Sequence, residues 1–175
     1  MTGEIRIGVS SCLVGEKVRY DGGDKLDRTI SDTIGRFCTF VPVCPEVGCG
    51  LPIPREAMRL EGDPAHPRLV TVVSRVDLTE RLLDYSLRTV GELEREALAG
   101  FILKSSSPSC GLFHVAVFSG AEAKSGRGVF AAVLVKHFPL LPIEEEGRLL
   151  DPATRENFIE RVLAYRRRQG GSFPP

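Results

Sequence analysis

The sequence lacks the features that mark nucleic-acid-binding and membrane proteins. Its 175 residues carry 23 Lys and Arg against 23 Asp and Glu, so the formal net charge is zero. Binding to a phosphate backbone needs a basic excess or a basic face, and the dense basic run at 166–168 falls where a helix is predicted to end. No apolar run approaches the roughly 18 residues of a membrane span, and Met1–Arg6 lacks the charged and apolar regions of a signal peptide. We therefore expect a cytoplasmic protein that binds neither membrane nor nucleic acid.

A disulfide framework is not indicated either. The chain has five cysteines, an odd number, and no export signal, so metal binding or catalysis is the better expectation for some of them. The composition, 42% hydrophobic and 26% charged, is that of one ordinary globular domain with a sizeable core. We predict a single domain over residues 1–168, with residues 169–175 as a flexible C-terminal tail.

Three short apolar runs each end in a loop that carries a cysteine. Residues 5–9 are followed by Cys12, residues 40–43 by Cys44, and residues 100–104 by a serine-rich loop with Cys110. Such runs are typical of buried strands that feed polar loops. A further strand is predicted at 69–73.

Helical patterns fill the intervals between these strands. Residues 77–98 carry an apolar stripe at helical spacing, and Asp151 followed by Pro152 is typical of a helix start. Residues 24–36 form a weaker helical pattern, and 128–137 fits a helix or a strand. Strands that alternate with helices predict an α/β fold, a mainly parallel open sheet with helices on both faces, of the Rossmann-like or flavodoxin-like three-layer type.

In such a sheet the loops at the carboxyl ends of the strands converge on one edge, where ligands bind. Cys12, Cys44 and Cys110 are therefore expected to meet there, and three thiolates without an obvious fourth would leave a metal centre with an open position. Soft sulfur ligands favour zinc, copper(I) or an iron–sulfur cluster. The alternative is three separate buried thiols that behave as small hydrophobic side chains. Glu46, two residues after Cys44, is a candidate general base.

Four motifs in order resemble the DUF523 family. They are Ser10–Gly15, Val18–Gly22, Cys44–Val47 with Gly50–Arg55, and Lys104–Gly111, and the resemblance extends over nearly the whole chain to Phe138. Characterised members include thiouracil desulfidases with a 4Fe-4S cluster on three cysteines. The segment 137–161 resembles the branch often fused to a DUF1722 domain, which makes a DUF1722 protein an expected partner.

The resemblance implies Cys12, Cys44 and Cys110 as ligands of a 4Fe-4S cluster, which can be lost or replaced in protein prepared in air. It implies Glu46 as the acid–base group and Ser107 as the hydroxyl that orients the substrate, with Ser105 as the alternative serine. The expected reaction is a non-redox, hydrolase-like desulfidation in which the C=S of a small thiolated pyrimidine base or nucleoside becomes C=O and sulfide is released. Tyr20 or Asp21 are further candidates for the pocket.

Several assignments stay open at this point. Cys49 departs from the commoner family pattern and is either a fourth ligand or a small filler, whereas Cys38 is expected in the core. Arg55 either binds a substrate anion or braces its loop through a carboxylate. The alternative function is a non-catalytic iron–sulfur or metal-binding module that senses redox state or serves as an accessory to another protein.

Overall fold

A computed structural model describes residues 4–170. It contains two four-stranded sheets, and the first is the parallel sheet that the sequence predicts, with strand order β2–β1–β5–β8. Its strands are β1 (Arg6–Ser10), β2 (Thr39–Val43), β5 (Gly100–Leu103) and β8 (Ile143–Glu145). The pairs β1–β2, β1–β5 and β5–β8 are all parallel, so the carboxyl ends of the three strands that precede the cysteine loops share one edge.

Helices cover both faces of this sheet because its strands are apolar on both sides. Ile7, Val9 and Ile102 pack on one face against α1 (Arg28–Thr33) and α5 (Pro152–Gln169). Phe101 and Leu103 pack on the opposite face against α3 (Thr79–Leu93) and α4 (Val129–His137). The predicted α/β class with helices on both faces is confirmed.

A second sheet with the order β4–β3–β6–β7 extends the predicted fold. It consists of β3 (Met58–Asp63), β4 (His66–Thr71), β6 (Val115–Ser119) and β7 (Glu122–Gly126). Two antiparallel hairpins are joined by the parallel pair β3–β6. Its apolar face packs against Leu82 of α3 and Val129 of α4, so these two helices contribute to the cores of both sheets. The strand expected at 69–73 corresponds to β4, an edge strand of this second sheet.

Two helix starts follow from local side-chain capping. Asp151 accepts a hydrogen bond from the Thr154 amide at 2.8 Å, and Pro152 occupies the first turn of α5 as expected. The weak pattern at 24–36 becomes the short α1, capped by Asp27, and a 3-10 turn. The ambiguous segment 128–137 is the helix α4.

The predicted C-terminal tail, residues 169–175, is described only at its first two residues. Gln169 belongs to α5, and its side-chain amide donates to the Leu98 carbonyl at 3.1 Å. The remainder of that tail, residues 171–175, lies outside the described residues. In the part of the chain that is described, no helix has both the length and the apolar character needed to cross a bilayer.

Candidate active site and cofactor pocket

One cavity of about 270 Å³ lies at the carboxyl edge of the parallel sheet. The structure places there all five residues that were predicted for the site: Cys12, Cys44, Cys110, Glu46 and Ser107. Each cysteine reaches it from a different strand. Cys12 lies in a 3-10 turn directly after β1, Cys44 precedes the short helix α2 (Pro45–Gly48), and Cys110 follows β5.

The loop that carries Cys110 is held by helix α4. The first amides of a helix lack partners within that helix, and here the carbonyls of Pro108 and Ser109 accept from the amides of Val129 and Phe130 at 3.1 and 2.9 Å. A Cβ on Gly128 would lie 2.5 Å from the Ser109 carbonyl, so only glycine permits this approach. Cys110 is therefore held rigidly between β5 and α4.

Burial raises the pKa of all three cavity thiols. The pKa of Cys12 rises to about 11, that of Cys44 rises, and that of Cys110 rises well above its ordinary value, in each case chiefly through loss of solvation. Lys104 opposes the shift at Cys12, and a hydrogen bond from Ser10 opposes it at Cys110. Negative charge at Cys12 or Cys44 would raise the pKa of Cys110 further, and all three thiols line the same cavity.

The donor set suits a soft metal centre. Desolvated thiols stay protonated on their own, and a metal cation overcomes that cost by binding the thiolates. Among the described residues, no three His, Cys, Asp or Glu side chains stand close enough to bind a single metal ion together. The cavity lining also includes Arg19, Lys25 and Lys104, whose positive charges complement thiolate ligands.

Glu46 is the carboxylate of this cavity and is held on both of its oxygens. Its Oε2 accepts from Nε and Nη2 of Arg55 at 2.8 and 2.5 Å, and its Oε1 accepts from the Ser109 hydroxyl at 2.8 Å. The side chains of Arg55 and Glu46 are only 6% and 13% exposed. Arg55 thus braces its loop through a carboxylate, one of the two roles that the sequence left open, and it also lines the cavity.

The serine-rich loop divides its hydroxyls between two tasks. The Ser107 hydroxyl oxygen accepts from the amides of Ser109 and Cys110 at 3.2 and 3.0 Å. Because a hydroxyl has two lone pairs and one proton, the Ser107 proton remains available to a ligand in the cavity. The Ser105 hydroxyl instead donates to Glu146 at 2.7 Å. Both serines line the cavity, and of these two it is Ser107 whose O–H does not donate to another described residue.

The other two cysteines lie elsewhere. Cys38 packs with the core on the α1 and α5 face, and burial raises its pKa to about 12. Cys49 packs against the core of the second sheet, and its thiol donates to the Glu46 carbonyl at 3.2 Å. Neither lines the cavity. Of the two further pocket candidates, Tyr20 lines it, whereas Asp21 accepts from the Gly23 amide outside it.

Sequence reasoning missed a set of supporting polar residues. Glu146 accepts from the Lys104 ammonium and from both the amide and the hydroxyl of Ser105. Glu145 accepts from the amides of Leu112 and Phe113 at 2.7 and 2.9 Å. Glu145 is the last residue of β8 and Glu146 follows it, and β8 pairs with β5. The two carboxylates therefore hold the two ends of the Cys110 loop. The sequence signal that could have indicated these residues is the run of three glutamates, 144–146, directly after Ile143.

The fold and this site define an α/β protein with a thiol-lined pocket, and comparison with known proteins agrees. The family model described as 2-thiouracil desulfurase matches residues 7–146, and the chain belongs to this family. The uncharacterized protein YbbK of Bacillus subtilis (strain 168) is 32% identical over 133 residues, which are 72% of this chain and 87% of YbbK.

This chain is also similar to a solved structure. The 4Fe-4S-dependent thiouracil desulfidase TudS is 29% identical and superposes with a TM-score of 0.69. The match covers 88% of this chain and 99% of TudS. The similarity to the family of desulfidases that the four motifs indicated is therefore confirmed, whereas the branch often fused to a DUF1722 domain and a DUF1722 partner stay predictions.

Proposed function

We propose that this protein is an enzyme that replaces the thiocarbonyl sulfur of a thiolated pyrimidine base or nucleoside with oxygen. The observation that carries the proposal is the convergence of Cys12, Cys44, Cys110 and Glu46 on one cavity, in a chain of the 2-thiouracil desulfurase family. The net reaction is C=S + H₂O → C=O + H₂S, which needs no electron donor or acceptor. The same cavity is an argument for a small substrate that is free in solution.

The three cysteines would hold a 4Fe-4S cluster, the cofactor in the name of the structural relative TudS. When bound, the cluster supplies a Lewis-acidic iron that withdraws electron density from a thiocarbonyl group. The thiols suit this group because they are soft donors from three separate loops, and because Lys104 and Arg19 stabilise negative charge at Cys12 and so offset part of the cost of burying it.

Glu46 is the residue that we assign to proton transfer. A carboxylate offers about four lone-pair positions, and Arg55 occupies Oε2 with two hydrogen bonds while Ser109 occupies one position on Oε1. Oε1 therefore retains capacity to accept a proton from water that attacks the substrate carbon. Arg55 keeps the carboxylate fixed in orientation during that transfer.

Ser107 orients the substrate. Two backbone amides fix its oxygen, so its proton points away from them and can be donated to a ring nitrogen or an exocyclic oxygen of the pyrimidine. Tyr20 lines the same cavity and offers an aromatic face to a planar base.

The test is anaerobic reconstitution with iron and sulfide, followed by measurement of sulfide release from 2-thiouracil and its nucleosides. We expect broad visible absorbance and turnover in the wild-type protein. Serine substitutions at Cys12, Cys44 or Cys110 should abolish iron loading, whereas Cys38→Ser should load iron like the wild type. Iron loading without sulfide release from any thiolated pyrimidine would favour the non-catalytic alternative, and equal iron loading in all four variants would refute the ligand assignment.

A further inference from the structure

A single buried guanidinium joins the carboxylate of the cavity to the loop that covers it. That loop, residues 16–25, runs from the 3-10 turn after β1 towards α1 and supplies Val18, Arg19, Tyr20 and Lys25 to the cavity lining. It is called the covering loop below. Arg55 belongs to a different segment, between α2 and β3, and its side chain is 6% exposed.

The contacts of Arg55 divide between these two parts of the site. Its Nε and Nη2 donate to Glu46, and Nη2 also donates to the Val18 carbonyl at 2.8 Å. Its backbone amide donates to the Tyr20 carbonyl at 2.8 Å. Arg55 therefore touches the covering loop on both sides of Arg19 while it holds Glu46.

The covering loop has few other anchors in its middle. Its own turn is closed by Gly22 donating to the Arg19 carbonyl and by Arg19 donating to the Gly23 carbonyl, and Lys25 donates to the Cys12 carbonyl near its end. Nε of Arg19 is buried without a hydrogen-bond partner, and the Asp21 carboxylate lies 3.7 Å away. Val18 also packs against the core beneath the loop, but between residues 18 and 20 the described hydrogen bonds to the rest of the chain come from Arg55.

We infer that Arg55 is a positioning residue that couples substrate binding to proton transfer, because one guanidinium sets both the covering loop and the Glu46 carboxylate. The inference rests on the proposed function. Loss of the guanidinium should affect both kinetic parameters: KM rises because the covering loop loses its hydrogen bond at the Val18 carbonyl, and kcat falls because Glu46 loses its fixed orientation.

Lysine is the informative substitution at this position. An ammonium can keep a charge near Glu46, but it cannot reproduce a fork that reaches a carboxylate and a carbonyl together. In reconstituted Arg55→Lys protein with iron content equal to the wild type, we expect kcat/KM for 2-thiouracil at least about 10-fold lower, with both KM and kcat changed. Hydrogen exchange at the amides of residues 18–23 should accelerate, a readout that does not depend on turnover.

Arg81 provides the matched control. It also donates to a loop of this region, through Nε to the Cys49 carbonyl at 2.8 Å and Nη2 to the Gly50 carbonyl at 2.9 Å, but it touches neither Glu46 nor the covering loop. Arg81→Lys should leave KM, kcat and exchange at residues 18–23 unchanged. In Arg55→Ala, added methylguanidine at a non-denaturing concentration should restore part of the activity, and in Arg81→Ala it should have no effect.

The outcomes separate the two proposals. Wild-type holoprotein that releases no sulfide from thiolated pyrimidines would overturn the proposed function and this inference with it. Turnover by the wild type together with unchanged KM and kcat in Arg55→Lys would overturn the inference alone. Loss of the cluster in Arg55→Lys would likewise overturn it, because Arg55 would then serve assembly of the site and not its alignment. Unchanged exchange in the covering loop would also overturn it, because the guanidinium would then not hold that loop.

Discussion

Replacement of Glu46 by glutamine tests the role of this residue in proton transfer, because it changes the surrounding structure little. Both N–H groups of Arg55 that reach the carboxylate bind the same oxygen, Oε2. A glutamine carbonyl in that position can accept both. Its NH₂ group then occupies the place of Oε1, where the Ser109 hydroxyl can turn to accept instead of donate. Shape and hydrogen-bond number are retained, and the charge and the free lone pair are lost.

The cost in stability follows from the loss of the counter-charge to Arg55. Its two hydrogen bonds to the glutamine oxygen stay charge-assisted, but the buried guanidinium is then only partly compensated, which costs about 2–3 kcal/mol. The value stays below the roughly 3–5 kcal/mol of a fully uncompensated buried charge because the glutamine oxygen still pairs with Arg55. For a domain of this size the melting temperature should fall by about 5–10 °C.

The kinetic effect is separate from this loss. General acid–base catalysis contributes at least about 100-fold, which corresponds to about 2.7 kcal/mol of barrier. Below its melting temperature, Glu46→Gln should load iron normally and release sulfide from 2-thiouracil at least about 100 times more slowly than the wild type. The assay is anaerobic sulfide release normalised to iron content.

A second buried carboxylate in a similar setting supplies the control. Glu61 in β3 accepts from Nε of Arg59 at 2.6 Å and from both terminal nitrogens of Arg75 at 2.6 and 2.7 Å, and it does not line the cavity. Glu61→Gln should lose stability by the same kind of change and keep full turnover. Turnover of Glu46→Gln within tenfold of the wild type would refute the assignment, and loss of iron would make Glu46 a residue of assembly.

Three further changes test other parts of the site and fold. Cys49→Ser should keep both cluster and turnover, because a serine hydroxyl can donate to the Glu46 carbonyl as the thiol does; loss of visible absorbance in that variant would favour the non-catalytic alternative. Ser107→Ala should lower turnover at least about 10-fold and reduce the melting temperature, since two amides lose their acceptor, whereas the buried Ser86→Ala in α3 should leave turnover unchanged. The hydrogen bonds from Arg75 and Arg59 lower the pKa of Glu61 from 4.5 to about 2, so its contribution to stability is present above pH 4.5 and is lost as the pH falls towards 2. The difference in urea midpoint between wild type and Glu61→Gln should therefore shrink from pH 6 to pH 3, and a constant difference would contradict this account.

The sequence was most informative where a local pattern and a general rule act together. The three strands that precede Cys12, Cys44 and Cys110 are apolar runs with abrupt polar ends, and parallel strands bring such ends to one edge. The convergence of the three cysteines could therefore be expected from the sequence alone. The helix that begins at Pro152 was equally visible, because a capping aspartate and a proline in the first turn are local signals.

The second sheet could not be predicted in the same way. β7 is exposed or half-buried along its whole length, so it shows none of the alternation that marks a half-buried strand. β3 buries only Leu60 and Glu61, and the charge of Glu61 is compensated by the nearby Arg59 and by Arg75, which lies beyond β4 in the chain. Its pairing with β6 joins residues more than fifty positions apart. Tertiary contacts, not local propensity, determine these strands.

The roles of the glutamates near the site also depend on tertiary contacts that the sequence does not show. The structure distinguishes these roles by the hydrogen-bond donors that each carboxylate receives. Glu145 and Glu146 receive backbone amides of the Cys110 loop and do not line the cavity, so their lone pairs serve to hold that loop. Glu46 receives side-chain donors, keeps capacity on Oε1 and lines the cavity. In sequence all three are glutamates near a cysteine loop or an apolar run. What distinguishes a carboxylate that can exchange a proton with substrate from one that anchors a loop is the set of donors already bound to it, and those donors lie as much as 63 residues away.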